Sequence, residues 1–257
     1  MRRSRDEQRR LSVKSDLAFS ETITREELDK VRVEMPPPSQ EVFDRECRGF
    51  LDDVVLFVTA EDGADATRTA VGFEVSFGRP GSEEDEPLAR KEPIVIDLGG
   101  GLKFRLAGQI DRIDQIDESC FEVIDYKTGG YFEKDWAGIT SGGRKLQHAL
   151  YGLAAAEILK QRVKSPKVTH GTYYFTSAKG GQERRTIDAM STAKLTSVLA
   201  DLRQVIASGL FVHAPDESAC KWCDFGNACG ARVQARAAAK TSIDAGLEPY
   251  RKLAAHE

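Results

Sequence analysis

The sequence predicts an α/β domain, and three observations carry that prediction. Glu41 to Phe57 sets Val42, Phe43, Cys47, Phe50, Leu51, Val54 and Val55 at helical spacing. Ala70 to Gly78 alternates apolar and polar residues as a strand does. Lys145 to Val163 reads as a second helix that runs into a β-rich stretch, Val168 to Thr176.

The remaining elements follow in chain order. Residues 1–40 are polar and broken by Pro36-Pro37-Pro38, which reads as a polar N-terminal arm or a helix belonging to a neighbouring piece of fold. The basic run Arg2, Arg3, Arg5, Arg9 and Arg10 could touch phosphate, but such runs are usually solvated. Gly63 to Thr67 is a loop, and residues 82–86 form a solvated acidic loop. Pro93 to Leu98 and Leu102 to Ala107 flank Gly99-Gly100-Gly101 and predict a hairpin whose second arm runs into Asp111. In the helix from Lys145, Leu146, Ala149, Leu150, Leu153 and Ala156 are expected to face the core. Arg184 to Ala189 could pair beside the strand at Val168, and Ser191 to Ser208 is a helix capped near Ser191 or Thr192. Phe211 to Ala219 is a loop, Arg232 to Lys240 is an alanine-rich helix, and the tail is peripheral. The expected boundaries are an arm at 1–40, a domain at 41–230 that includes a cysteine segment at 220–229, and a helical tail at 231–257.

Composition narrows the class. The 257 residues are 30% charged and 40% hydrophobic, ordinary for a globular protein with a well-buried core. The formal net charge of −4 advertises no polyanion partner, so a nucleic-acid enzyme of this charge must concentrate its cations locally or borrow them. No apolar run approaches the ~18 residues of a membrane span. The basic start lacks a signal peptide's apolar stretch, so a cytoplasmic protein is expected. Five unevenly spaced cysteines do not make a secreted disulfide framework.

The stretch Gly108 to Gly130 organises the rest. It holds two short apolar strands with a polar turn near Asp117 to Ser119, and an antiparallel pairing could bring Asp111 and Asp125 to one end of a sheet. Two converging carboxylates repel unless a cation lies between them, and hard oxygen ligands suit Mg²⁺ or Mn²⁺. Lys127 is two residues beyond Asp125 and so shares its face. The bland alternative is a surface hairpin with a Lys–Asp ion pair.

Gly108-Gln-Ile-Asp111-Arg-Ile-Asp114, Asp125-Tyr-Lys127-Thr-Gly129, Gln147-x3-Tyr151 and Cys220-x2-Cys223-x5-Cys229 occur in that order, over about residues 73–230. Together they resemble the PD-(D/E)XK nuclease superfamily, and within it the RecB/AddB-like nuclease domains. The resemblance implies a restriction-endonuclease-like core, a mixed central β-sheet flanked by helices, with the site at a sheet edge and a C-terminal cysteine-cluster segment. It implies Asp111 and Asp125 as side-chain metal ligands, the Tyr126 carbonyl as a further ligand, and Lys127 as the residue that orients or polarises the attacking water. Gln147 and Tyr151 would border the site and contact DNA; their alternative is a surface pair on a core helix. Asp114 could pair with Arg112 or reach a second ion, and His148 is expected to be incidental.

Thiolates spaced as in the cysteine triplet could hold zinc or an iron–sulfur cluster, and spacing alone does not choose. The resemblance to AddB-type nucleases implies a [4Fe-4S] cluster at Cys220, Cys223 and Cys229, with a fourth cysteine far upstream. The chain departs from the pattern there. Cys47 is the sole cysteine before the sheet and reads equally as a small buried hydrophobe, while Cys120 reads as structural. The RecB-like group also carries an upstream histidine ligand, whereas His148, His170, His213 and His256 all follow the site. Glu41, Glu46 or Glu74 could substitute. One account covers both departures: the chain is a C-terminal portion or one half of a split enzyme, completed by an upstream segment or a partner. The expected function is a metal-dependent DNA nuclease, a Mg²⁺-dependent exonuclease acting on strand ends or single strands in recombination or repair, with DNA and a helicase as partners. Two alternatives stand: a catalytically degenerate module that binds DNA or a protein, and a zinc-stapled interaction domain.

Overall fold

In the computed structural model the described residues are 1–257 apart from 8, 66, 80–85, 137, 214–219 and 222. Most of the acidic loop at 82–86 and the second half of the loop at 211–219 lie outside the described residues. The chain divides into two units.

The first unit comprises residues 1–97, 103–136 and 147–189. Its centre is a five-stranded mixed sheet built from β1 (Thr69–Phe77), β4 (Gly108–Gln115), β5 (Cys120–Lys127), β6 (Lys167–Phe175) and β7 (Arg184–Asp188), in that spatial order. Only β5 and β6 run parallel; the other neighbours are antiparallel. A parallel pair needs a crossover, and helix α4 (Gln147–Leu159) supplies it. The Gly-rich hairpin forms as expected from β2 (Ile94–Asp97) and β3 (Lys103–Leu106), but as a separate two-stranded sheet. Its second arm therefore does not continue into the strand that carries Asp111.

Two helices sandwich the sheet, and period-2 alternation divides the side chains between them. On one face α4 packs against β5 and β6. Gly171 lets it come close, because a Cβ there would meet His148 Cβ at 2.6 Å. Burial on α4 falls on His148, Ala154, Ala155, Ile158 and Leu159. The expected core positions Ala149, Leu150, Leu153 and Ala156 are only half-buried. The helix is apolar nearly all round, so its spacing does not choose a face; contact with β6 does.

On the other face lies α3 (Gln40–Asp62), where Phe57 meets Tyr126 edge-on at 5.8 Å and Tyr174 at 5.9 Å. A buried ionic network runs beneath it. Arg112 forks onto both oxygens of Asp114 at 2.5 and 2.8 Å and reaches Glu61 of α3 at 2.6 Å. Glu61 also takes Arg184 of β7, and Glu122 takes Arg68 and Thr172. Asp114 thus pairs with Arg112.

Residues 1–34, expected as a polar arm, fold as α1 (Arg2–Asp6) and α2 (Val13–Glu34) in this unit, with Ser12 capping α2. The arginine run is consumed internally. Arg5 pairs with the buried Glu86 and Arg9 with the buried Asp16, both at 2.6 Å, while Arg2 donates to the Phe73 carbonyl and Arg10 to that of Ala64. A polar composition hid these helices because ion pairs, not apolar contacts, hold α1 in place.

The second unit holds residues 98–102, 137–146 and 190–257. Ser191 caps α5 (Thr192–Ser208), which buries Leu195, Val198, Leu199 and Val205. The short α6 (Gly226–Cys229) and α7 (Val233–Ile243) follow, and α8 (Glu248–Ala254) packs on α5. The C-terminal residues are not a loose tail: the His256 carbonyl accepts from the Gly142 N–H at 2.7 Å and the Thr140 hydroxyl at 3.1 Å, and Leu247 and Leu253 are buried. No described helix is long and apolar enough to cross a membrane.

Arg112→Met is expected to leave Asp114 and Glu61 buried without their cation, which costs about 3–5 kcal/mol. Denaturant unfolding checks this, and a loss below about 1 kcal/mol would show that the network is dispensable.

Candidate active site

The antiparallel register of β4 on β5 pairs Arg112 with Ile124, so Asp111 and Asp125 lie opposite one another one step further along. Asp111 Oδ2 accepts the N–H of Tyr126 at 2.8 Å, which ties its carboxylate to the strand that carries Asp125. Asp125 is 5% exposed. Burial raises its pKa, Lys127 opposes the rise, and the Asp111 charge adds to it. The Lys127 ammonium is ion-paired with Asp125 Oδ2, and that buried oxygen accepts no hydrogen bond. Lys127 also reaches Gln147 Oε1 at 3.4 Å, and Gln147 donates from Nε2 to the Tyr151 hydroxyl at 3.2 Å. The five residues expected from the sequence therefore lie along one connected run, from β4 through β5 to the first turn of α4.

Two neighbours escaped sequence reasoning. Tyr173 stands beside Asp125 in the β5–β6 register, and its ring lies 5.5 Å from the Lys127 ammonium. Its hydroxyl meets the His148 backbone N–H at 3.4 Å and Nδ1 at 3.2 Å. Burial pushes the Tyr173 phenol up to about 12 and His148 down to about 4, so both stay neutral at pH 7. His148 is thus a buried prop for the ring under Lys127. The β-rich run around Tyr173 was visible, but the helix that seats its hydroxyl was not.

The other is Glu74, which the sequence left unranked. It is a non-glycine residue at φ +52° in the middle of β1. Its flanks pair as Phe73 with Arg112 and Val75 with Ile110, which puts it opposite Asp111. Burial and then the Asp111 charge raise its pKa, and Gln109 donates to its carboxylate. Glu74 and Asp111 line a cleft of about 850 Å³ with Tyr126, Thr128, Ser177 and Lys179, and with Glu46 and Asp53 of α3. No signal short of the register distinguished Glu74 from Glu41 or Glu46.

The donor set fits a hard divalent cation in part. Two opposed carboxylates, each raising the other's cost of ionisation, favour a cation between them. Mg²⁺ keeps several of its waters and asks for one or two carboxylates. Among the described residues, however, no three His, Cys, Asp or Glu side chains are gathered as a metal site. His170 meets Asp188 and His256 meets Asp201, and none of the described histidines joins the carboxylates.

The same finding bears on the expected iron–sulfur cluster. Cys220, Cys223 and Cys229 lie in the second unit, where the Cys223 N–H donates to the Cys220 carbonyl at 3.2 Å. Cys223 is exposed and the other two are half-buried, but among the described residues the triplet is not drawn together as a ligand set. The residues as placed do not fit a cluster. Cys47 in α3 and Cys120 at the start of β5 are both half-buried.

Comparison with known proteins agrees with this geometry. Residues 4–230 match the family model of the PD-(D/E)XK nuclease superfamily. An ATP-dependent helicase/deoxyribonuclease subunit from Acetivibrio thermocellus is 37% identical over 86 residues, 32% of this chain and 6% of that protein. Its counterpart from Ruminiclostridium cellulolyticum is 38% identical over 86 residues, with the same coverage. That of Clostridium novyi is 40% identical over 62 residues, 23% of this chain and 5% of that protein. The match thus spans only about a twentieth of these relatives' length. With the mixed sheet, its flanking helices and the family match over most of its length, the chain belongs to the PD-(D/E)XK nuclease superfamily.

Proposed function

We propose that this chain is a Mg²⁺- or Mn²⁺-dependent deoxyribonuclease of DNA recombination or repair, acting as an exonuclease. The observation that supports this most is the opposition of Asp111 and Asp125 across the β4–β5 register, with the Lys127 ammonium held against Asp125. A bound divalent ion would supply Lewis-acid polarisation of the phosphate and a water of lowered pKa. Asp111 and Asp125 would hold it. Lys127 places a positive charge beside the scissile phosphate, where it offsets developing negative charge and orients the attacking water. Gln147 and Tyr151, already joined to Lys127 through the Gln147 amide, can donate to phosphate oxygens and fix the strand. Tyr173 acts on Lys127 as a positioning residue, its ring face attracting the ammonium.

A second reading is a nuclease-fold module that binds DNA or a protein without hydrolysis. The lack of three gathered metal-binding side chains among the described residues favours it. The helicase in the relatives' names suggests a partner for this chain as well. The exposed apolar residues Phe19, Val31, Val33 and Met35 along and just beyond α2 offer such a partner a surface. Zinc or an iron–sulfur cluster at the cysteine triplet rests on spacing alone.

Asp125→Ala and Lys127→Ala are each expected to abolish Mg²⁺-dependent cleavage of labelled DNA while thermal melting stays cooperative. Retained cleavage in either variant would remove these residues from the reaction, and inactivity of the unaltered chain with both Mg²⁺ and Mn²⁺ would favour the second reading. Tyr173→Leu should lower kcat about two- to thirtyfold at unchanged KM, the range of a cation–π contact, with Tyr173→Phe restoring it. Equal loss in both variants would point to the hydroxyl, not the ring. Native mass spectrometry of anaerobically purified protein is expected to show a partner or second copy bound. A metal-free monomer that cleaves DNA at full rate would refute both the partner and the cluster.

A further inference from the structure

The loop that follows Lys127 combines rigidity with an exposed ring. Tyr131 packs edge-on against Phe175 at 5.1 Å, and Trp136 sits on Tyr173 at 4.6 Å and on Phe175 at 5.1 Å. These two anchors pin both ends of the segment to the end of β6. Between them Phe132 projects, 62% exposed. Its ring lies over Gly130, where an added Cβ would meet Phe132 Cε2 at 3.3 Å and the Lys179 carbonyl at 3.5 Å. A large aromatic side chain held in water on an anchored loop is costly unless something covers it.

The location indicates what covers it. Five residues of extended chain span at most about 17 Å, so Phe132 stays close to Lys127. Thr128, Thr176, Ser177 and Lys179 border the neighbouring cleft with Asp111. The charge pattern decides between kinds of nucleic acid. Duplex binding draws mainly on cations that neutralise phosphates. The arginines best placed to form a basic surface, Arg2, Arg5, Arg9 and Arg10, are held by Phe73, Glu86, Asp16 and Ala64. Beside Phe132 itself, Glu133 and Asp135 offset Lys134 and Lys179. The loop therefore offers ring surface and little net charge, which suits unpaired bases: they stack on aromatic side chains with little regard to sequence.

We propose that Phe132 is a stacking platform for an unpaired base of single-stranded DNA whose phosphate lies at Asp111, Asp125 and Lys127. This rests on the nuclease reading for the position of the phosphate. It adds a strand-type preference set by Phe132, which no motif residue supplies. Single-stranded DNA is held by this ring, and a continuous duplex gains nothing from it.

Binding to fluorescein-labelled oligo-dT and to a blunt duplex, measured by anisotropy with EDTA present, tests the platform apart from cleavage. Phe132→Ala should weaken oligo-dT binding about five- to a hundredfold, the loss of one base–aromatic stack, with duplex binding unchanged. Phe132→Trp should restore binding, and its added indole fluorescence should be quenched by the oligonucleotide. Because Phe132 is exposed, both variants are expected to melt like the unaltered chain. Oligo-dT binding that is unmeasurable, insensitive to Phe132→Ala, or lost together with duplex binding overturns the platform. Cleavage with Mg²⁺ on the same preparations separates the two ideas. Phe132-dependent binding without any cleavage by the unaltered chain would sink the hydrolytic reading and leave the platform standing. Cleavage with Phe132-independent binding would do the reverse.

Discussion

The register of β4 against β5 is the constraint on which the rest depends. A strand alternates its side chains with a period of two, so a slip of one residue would carry Asp111 to the α3 face and Arg112 to the α4 face. Both placements would fail. Arg112 would lose Asp114 and Glu61, and Asp111 would no longer stand opposite Asp125. The ionic network under α3 and the carboxylates at the strand end are therefore two readings of one pairing. The buried Arg112–Asp114 fork sits one residue away from the site, and it discriminates between registers because every alternative leaves a charge buried without a partner.

A second theme is the use of cations. This chain has 37 lysines and arginines against 41 acids, and much of its basic charge works inside the protein. Arg112, Arg184 and Arg68 neutralise carboxylates beneath the sheet, and Arg5 and Arg9 fasten the N-terminal helix to Glu86 and to Asp16. A site that must hold a polyanion then has few long-range cations to draw on. What remains local is Lys127, steadied by Asp125, Gln147 and the Tyr173 ring, together with the aromatic loop behind it. Binding built this way draws on short-range contacts and is less sensitive to salt than a basic groove would be.

Much of this was legible in the sequence because it is local. The hairpin from Gly108 to Lys127, the face shared by Asp125 and Lys127, and the Gln147–Tyr151 pair one helical turn apart each follow from the period of a single element. The α1 and α2 helices were not legible, since their polar composition gives no apolar stripe and their anchors, such as Glu86, are distant in sequence. His148 looked incidental for the same reason. Its burial depends on Gly171 and Tyr173, 23 and 25 residues later, which only the α4–β6 packing brings beneath it. The cysteine spacing suggested a ligand set that the described residues of the second unit do not assemble, because short spacing permits convergence without enforcing it.

The amino-acid sequence by itself determined the order of strands and helices around Gly108 to Gly130 and the residue types that sit at the end of the β4–β5 pair, because alternation and i, i+4 spacing act over a few residues. The tertiary structure alone decided that Glu74 takes a left-handed conformation opposite Asp111, that Tyr173 lies under Lys127, that the N-terminal arginines face inward and that Phe132 faces water. Each of those depends on contacts between segments far apart in the chain, where packing and buried charge pairing, not local pattern, set the free energy.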